Sequence, residues 1–236
     1  MQDDAQALSA QRCISLLLRC GGLKREKRTG WVLSGIPWAR VESVADHSHR
    51  VALAALLLSS GAGAAPADCA HAALVGLVHD LAEAETGDIV SRGQTAAQKA
   101  AKSLEEGRVM RSFTAALGPH AQAGLLESLW AEYEAASTPA AQLVKDMDKV
   151  ELMLQAYEYE LAHPGLTLDS FYTALAGIKG AEAQAWGREV LRLRAELLHS
   201  RGQQAASWRA WALPAAAASA LALGVGLALA WRWGRR

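Results

Sequence analysis

The chain has 236 residues, 51% of them apolar, with 24 basic and 24 acidic side chains and no formal net charge. That length allows one domain with an appendage, and 2 Phe and 4 Tyr beside abundant Ala favour helix over sheet. All 24 acids lie before residue 207, so the body is mildly acidic and lacks the basic face of a nucleic-acid binder.

A first amphipathic helix is expected over residues 4–22, with Leu8, Ile14, Leu17 and Leu18 on its apolar side and Gly21-Gly22 ending it. Asp3 and Asp4, with no apolar run of signal-peptide length, argue against a cleaved secretory signal. The basic stretch Lys24–Arg28 leads into an irregular segment, 29–41, that carries Trp31, Pro37 and Trp38. A helix follows over 47–60 with Asp46 as its N-cap, ended by Gly61 and Gly63. Pro66 opens the next, expected to reach about Glu85. Its centre, Ala72 to Ala82, is apolar nearly all round, which places it in the middle of a helical bundle. Gly87-Asp88 turns the chain, and the polar, Ala-rich residues 89–103 read as a connector or lid. Helices are then expected over 104–117, 121–136, 139–162, 168–178 and 181–201, with Thr138-Pro139 as a cap and first-turn pair. No repeat and no strand is expected. Cys13, Cys20 and Cys69 lack a C-x-x-C spacing and read as reduced thiols in a domain facing the cytosol.

Residues 211–231 form an uncharged run with Trp208 and Trp211 at one end and Trp231 and Trp233 at the other. Roughly 20 apolar residues span a bilayer core, and tryptophans favour its interfaces. The expectation is a domain over 1–206 and a C-terminal transmembrane helix within 207–236. Only Arg232 to Arg236 follow the run, so the topology would be tail-anchored with the domain on the cytosolic side. The mitochondrial outer membrane, plastid envelope and endoplasmic reticulum all suit it.

The chemistry is concentrated in a few side chains. His79 and Asp80 interrupt the apolar run Leu74-Val75-Gly76-Leu77-Val78. An ionised carboxylate there costs several kcal/mol unless paired or metal-bound. Glu83 lies three residues on, facing the same side. His47 starts the preceding helix. Asp148 shares a polar stripe with Glu151 and Gln155 on a helix that buries Leu143, Met147, Val150 and Leu154. Singly, each has a plainer role as a helix-end residue or salt-bridge partner. Together, His47, His79, Asp80 and Asp148 suit one divalent cation (Mn, Co, Fe, Zn, Ni or Mg). Such a site supplies a Lewis acid and acidifies water.

The order His…His-Asp…Asp resembles the HD superfamily. More specifically, Arg28-Thr29-Gly30-Trp31-Val32, Glu42-Ser43-Val44-Ala45-Asp46-His47, Leu77-Val78-His79-Asp80-Leu81-Ala82-Glu83 with Gly87-Asp88-Ile89, Leu129-Trp130-Ala131-Glu132-Tyr133-Glu134 and Asp148 through Glu160 resemble its 5′-deoxynucleotidase branch. That branch comprises the eukaryotic "HD domain-containing protein two" group and bacterial relatives, and the resemblance covers about residues 10–200. It implies an all-α HD-domain helical bundle, usually a homodimer, that hydrolyses 2′-deoxynucleoside 5′-monophosphates. It implies His47, His79, Asp80 and Asp148 as metal ligands, Glu83 as a catalytic carboxylate beside the attacking water, and Asp88 as a substrate-positioning or general acid. Arg28 and Trp31, separated by two residues as in the eukaryotic group, would hold the phosphate and sugar. A tight fit at the sugar would exclude a 2′-hydroxyl. Residues 91–103 are less charged than the group usually shows, with Lys99, Lys102, Glu105 and Glu106 replacing part of the pattern. The C-terminal apolar run is not general to the group.

Other HD-class phosphohydrolases and phosphodiesterases, acting on cyclic dinucleotides or alarmones, are alternatives; the former bring additional metal-binding histidines and the latter a distinct substrate loop. A mixed-valence di-iron oxygenase needs further histidines between Asp80 and Asp148, where only His120 lies. A non-catalytic membrane scaffold predicts a broken metal site, against the complete set here. His49, His71, His120, His163 and His199 read as surface or helix-end residues. Glu85, Asp146 and Glu151 read as supporting acids, Glu151 foremost because it lies one turn from Asp148.

Overall fold

A computed structural model of the chain describes residues 9–61, 66–90 and 93–203. It is all-helical. The longer helices are α1 (Ala10–Cys20), α3 (Val44–Gly61), α4 (Pro66–Val78), α6 (Ala96–Leu117), α7 (Ala121–Ala135), α8 (Pro139–Ala162) and α10 (residues 181–203). Short helices α2 (Thr29–Leu33), α5 (Glu83–Thr86) and α9 (Asp169–Tyr172) lie between them. Among the described residues the β-structure is one isolated antiparallel bridge, Lys27 to Ser43. Its hydrogen bonds, Arg28 N to Glu42 O at 3.3 Å and Val44 N to Glu26 O at 3.0 Å, tie the segment before α2 to the start of α3.

The core forms around α8, which buries Val144, Met147, Val150 and Met153 at a three-residue spacing. Helices α3 and α4 pack against it and against each other. Their approach is close: a Cβ on Gly76 would lie 2.9 Å from Ala52 Cα, so only glycine fits there. Helix α7 closes the other side of α8, α6 packs on α7, and α1 rests on α6.

Several boundaries differ from expectation. Helix α3 begins at Val44 rather than His47, because Ser43 is the cap and Asp46 reaches back to it. Asp46 Oδ2 accepts from Ser43 N at 2.8 Å, and Asp46 N donates to Ser43 Oγ at 3.2 Å. The expected connector is helical from Ala96, opened by a capping box in which Thr95 N donates to Gln98 Oε1 at 2.8 Å and Gln98 N to Thr95 Oγ1 at 3.2 Å. The irregular segment 29–41 contains α2 and a 3₁₀ turn, Trp38–Arg40. The helix expected to reach Glu85 stops at Val78. Leu81 N donates to Val78 O at 3.0 Å and Glu83 N to Asp80 O at 3.0 Å, a tighter three-residue turn before α5. All three cysteines are free thiols.

The membrane-anchored localisation requires correction. Among the described residues no helix is long and apolar enough to cross a membrane, and residues 211–231 lie outside the described residues. Length and lack of charge carried that expectation. Ala dominates the run, with Pro214, Gly224 and Gly226 within it, and alanine contributes far less to membrane insertion than Leu, Ile or Phe.

Candidate metal centre

The break after Val78 lets two adjacent residues face one point. On a continuous helix they would diverge by about 100°. In the turn, His79 Nδ1 bonds to Gly76 O at 2.7 Å, taking a carbonyl freed at the helix end and turning Nε2 inward. Nε2 then lies 3.2 Å from Asp80 Oδ2. His47, on the first turn of α3, is held in the same way from behind, Nδ1 to Glu151 Oε2 at 2.6 Å. Its Nε2 lies 3.6 Å from Asp80 Oδ2 and 3.3 Å from Asp148 Oδ1. Arg50 fixes Glu151 in turn, with Nε and Nη2 at 2.9 and 2.6 Å from Oε1.

Asp80 Oδ2 thus lies 3.2 and 3.6 Å from the two imidazole nitrogens, and Asp148 Oδ1 lies 3.3 Å from that of His47. Ligands sharing one ion at about 2.1 Å lie about 3 Å apart, so the spacing fits a shared cation. The two imidazole Nε2 atoms are buried without a hydrogen-bond partner. A buried neutral nitrogen in that state costs about 1–3 kcal/mol, which a cation at this point removes, as does, on His47, a proton shared with Asp148 at 3.3 Å. His47, His79 and Asp148 all lie close enough to ligate one ion. Glu42, His47 and Glu151 form a second such group, but the His47 nitrogen facing Glu151 already carries its hydrogen bond, so the first group is the better centre.

The charges respond to this crowding. Burial and Arg28 push His47 down, but Glu151 and Asp148 outweigh them and raise it to about 10. Burial works against ionised Asp80, yet His79, His47 and Arg28 hold its carboxyl well below the usual range. Asp148 is lowered against burial in the same way, chiefly by His47. Glu83 goes the other way: burial, then the charge of Asp80, pushes it up to about 9. Its Oε1 lies 3.1 Å from Lys102 Nζ, and its Oε2 is buried without a partner.

The centre opens into a pocket of about 970 Å³ lined by Arg28, Trp31, His79, Asp80, Glu83, Asp88 and Asp148 among others. Arg28 Nη1 lies 3.6 Å from Asp80 and 3.9 Å from Asp88. Asp88 also accepts from the backbone N–H of Thr29, while Thr29 Oγ1 donates to Asp88 O at 2.7 Å, so the Gly87 turn and α2 are locked together. Trp31 is 1% exposed. Its Nε1 donates to Glu42 Oε1 at 2.8 Å, and its ring stacks on Phe171 at 4.2 Å.

All eight residues singled out in the sequence therefore gather here. Glu85 pairs instead with Arg19 at 2.7 Å, and Asp146 accepts from Lys179 and Gly180 N–H groups before α10. His71 pairs with Glu132 at 2.8 Å, and His120 accepts from Gln122 N at the start of α7. Sequence reasoning missed Glu42, Tyr133, Lys145 and Phe171. Glu42 is raised to about 7 by burial and by Glu151. Its only sequence signal is its place five residues before His47. Lys145 had one signal, its place one turn before Asp148, whereas Tyr133 and Phe171 meet the pocket through tertiary packing alone.

Residues 20–186 match the HD domain family. The chain is 36% identical over 169 residues to the Homo sapiens protein named 5′-deoxynucleotidase HDDC2, covering 71% of this chain and 78% of that one. It is 34% identical over 195 residues to the Schizosaccharomyces pombe protein named 5′-deoxynucleotidase hdd1, covering 80% and 92%. A solved structure of a conserved hypothetical protein from Pyrococcus furiosus superposes with a TM-score of 0.60 at 35% identity, covering 77% of this chain and 99% of that one. The matched stretch contains every side chain of the centre just described, from Arg28 to Phe171, and the chain belongs to the HD domain family.

Proposed function

We propose that the chain is a metal-dependent 5′-deoxynucleotidase, hydrolysing 2′-deoxynucleoside 5′-monophosphates to deoxynucleoside and phosphate within residues 1–206. The observation that carries this is the pair of buried, unpartnered imidazole nitrogens facing two carboxylates kept ionised. The names of the human and fission-yeast relatives supply the substrate class. His47, His79, Asp80 and Asp148 would hold one divalent cation per chain. Bound there, it supplies a Lewis acid for the phosphate and acidifies a water at the site.

The remaining steps belong to the chain's own residues. Arg28 neutralises phosphate charge through its planar fork, positioned by Asp88 through Thr29. Glu83, whose carboxyl is raised in the metal-free chain by burial and by Asp80, holds or moves a proton beside the reacting phosphate. Trp31, buried against Phe171, would back the wall against which a deoxyribose packs. The homodimer implied by the family resemblance is part of this proposal.

Phosphate release by the full-length protein, measured on deoxy- and ribonucleoside monophosphates with each divalent metal, is the test. Deoxynucleotides should be preferred, and Asp80→Ala should lose activity by about 100-fold or more. No release from any deoxynucleotide with any metal, or an active Asp80→Ala, defeats the assignment.

A further inference from the structure

A phosphate entering this pocket meets a wall crowded with carboxylates, and most of the nearby cations are already engaged. Arg28 is shared among Asp80, Asp88 and Glu42. Lys102 is held by Glu83 and Glu106 at 3.1 and 3.2 Å. Lys149 donates to the backbone carbonyl of Lys145, and Lys99 is exposed at the rim.

Lys145 differs. It lies one turn before Asp148 on α8, on the same face, and lines the same pocket. Its Nζ rests 3.8 Å from the centroid of the Tyr133 ring rather than against a carboxylate. Burial pushes Lys145 down, and Glu134, Asp148 and Asp80 oppose this from beyond ion-pair contact; Glu134 Oε2 itself accepts from Ser103 Oγ at 2.7 Å. Tyr133 in turn packs edge-on against His79, with ring centroids 5.0 Å apart. The ring therefore holds the ammonium at the pocket wall beside the metal centre, with no carboxylate in direct contact with its N–H donors.

We propose that Lys145 is the residue that selects phosphate monoesters, its ammonium binding the second negative charge of the phosphate opposite Arg28. The proposal rests on the hydrolase reading above and adds the specificity device. A monoester approaches two negative charges near neutral pH, because its second pKa is about 6, whereas a diester carries one. A cation already tied to a carboxylate discriminates weakly between them; an untied one favours the dianion.

Calorimetric titration of the full-length, Mn²⁺-loaded protein with inorganic phosphate and with deoxyadenosine tests it without relying on turnover. Lys145→Met and Lys145→Gln should weaken phosphate binding by about 10- to 100-fold and leave deoxyadenosine affinity within about twofold. Lys145→Arg should recover most of the phosphate affinity. Phosphate affinity unchanged in both neutral variants overturns the proposal, as does a parallel loss of phosphate and deoxyadenosine, which would mark a collapsed pocket. The two readings separate cleanly. A protein that hydrolyses deoxynucleotides but binds phosphate independently of position 145 refutes only this inference. One that binds phosphate through Lys145 yet hydrolyses no deoxynucleotide refutes only the 5′-deoxynucleotidase assignment.

Discussion

Burial beside Asp80 gives Glu83 a carboxyl that titrates at about 9 instead of its ordinary 4.5. Between those values the folded chain keeps a proton that the unfolded chain has released, so this group lowers stability as pH rises through the window. Metal-free Glu83→Gln should therefore melt above the parent protein, with the gap widening from pH 5 to pH 9 in thermal denaturation followed by circular dichroism. A gap that shrinks with pH contradicts the assigned shift. If Glu83 also moves the proton in the reaction, the same variant should lose about 10²- to 10⁴-fold in kcat while keeping its metal affinity. Asp80 and Asp148 have the opposite sign: their lowered pKa values add stability that is lost as pH falls below the ordinary carboxylate range. Legibility follows a similar division. Asp80 stands out in sequence because it interrupts an apolar run. Glu42 does not, because the groups that perturb it, Glu151 and Arg28, reach it only through the Lys27–Ser43 bridge and the packing of α8.

The turn after α4 is the element on which the site depends, and its position follows from packing. Gly76 lets α4 approach α3 until a Cβ would meet Ala52 Cα at 2.9 Å, which is backbone and cannot swing aside. The same glycine offers its carbonyl to His79 Nδ1. Gly76→Ala should thus destabilise the fold by about 1–3 kcal/mol and, by displacing His79, weaken metal binding. Gly21→Ala is the control. Its φ of −58° is helical and nothing lies within 4 Å of an added Cβ, so its stability should stay level or rise by about 0.4–1 kcal/mol. Equal melting temperatures for the two variants would remove the close-packing argument. Apolar periodicity predicted a continuous helix through His79 because Leu81 and Ala82 extend the apolar pattern beyond Val78. It overlooked the start of α6 for the converse reason: Thr95 to Gln98 is a capping box written in the sequence, but the Ala-rich turns behind it carry no apolar stripe.

At the scale of the whole molecule, His47, His79 with Asp80, and Asp148 come from three elements well separated in the chain. All-α class and the four converging side chains were legible because buried charges in apolar helices demand a common partner. The pocket's far wall, Phe171 and Tyr133, was not, since ring stacking leaves no trace in spacing. Such a centre cross-links α3, α4 and α8. In the metal-free protein the His47 imidazolium, favoured up to about pH 10, sits among the carboxylates where the cation would be. Binding must displace that proton, because the nitrogen that ligates cannot also carry hydrogen. Two consequences are measurable together. Metal at about 100 times its Kd should add about 2.7 kcal/mol to the stability, seen as a higher Tm that chelator reverses. Between pH 8 and pH 6 the metal Kd should weaken by about tenfold per unit, with one proton released per ion bound. A pH-independent Kd, or stabilisation that survives in His47→Gln, would mean that the cation binds elsewhere and that the three helices are joined by packing alone.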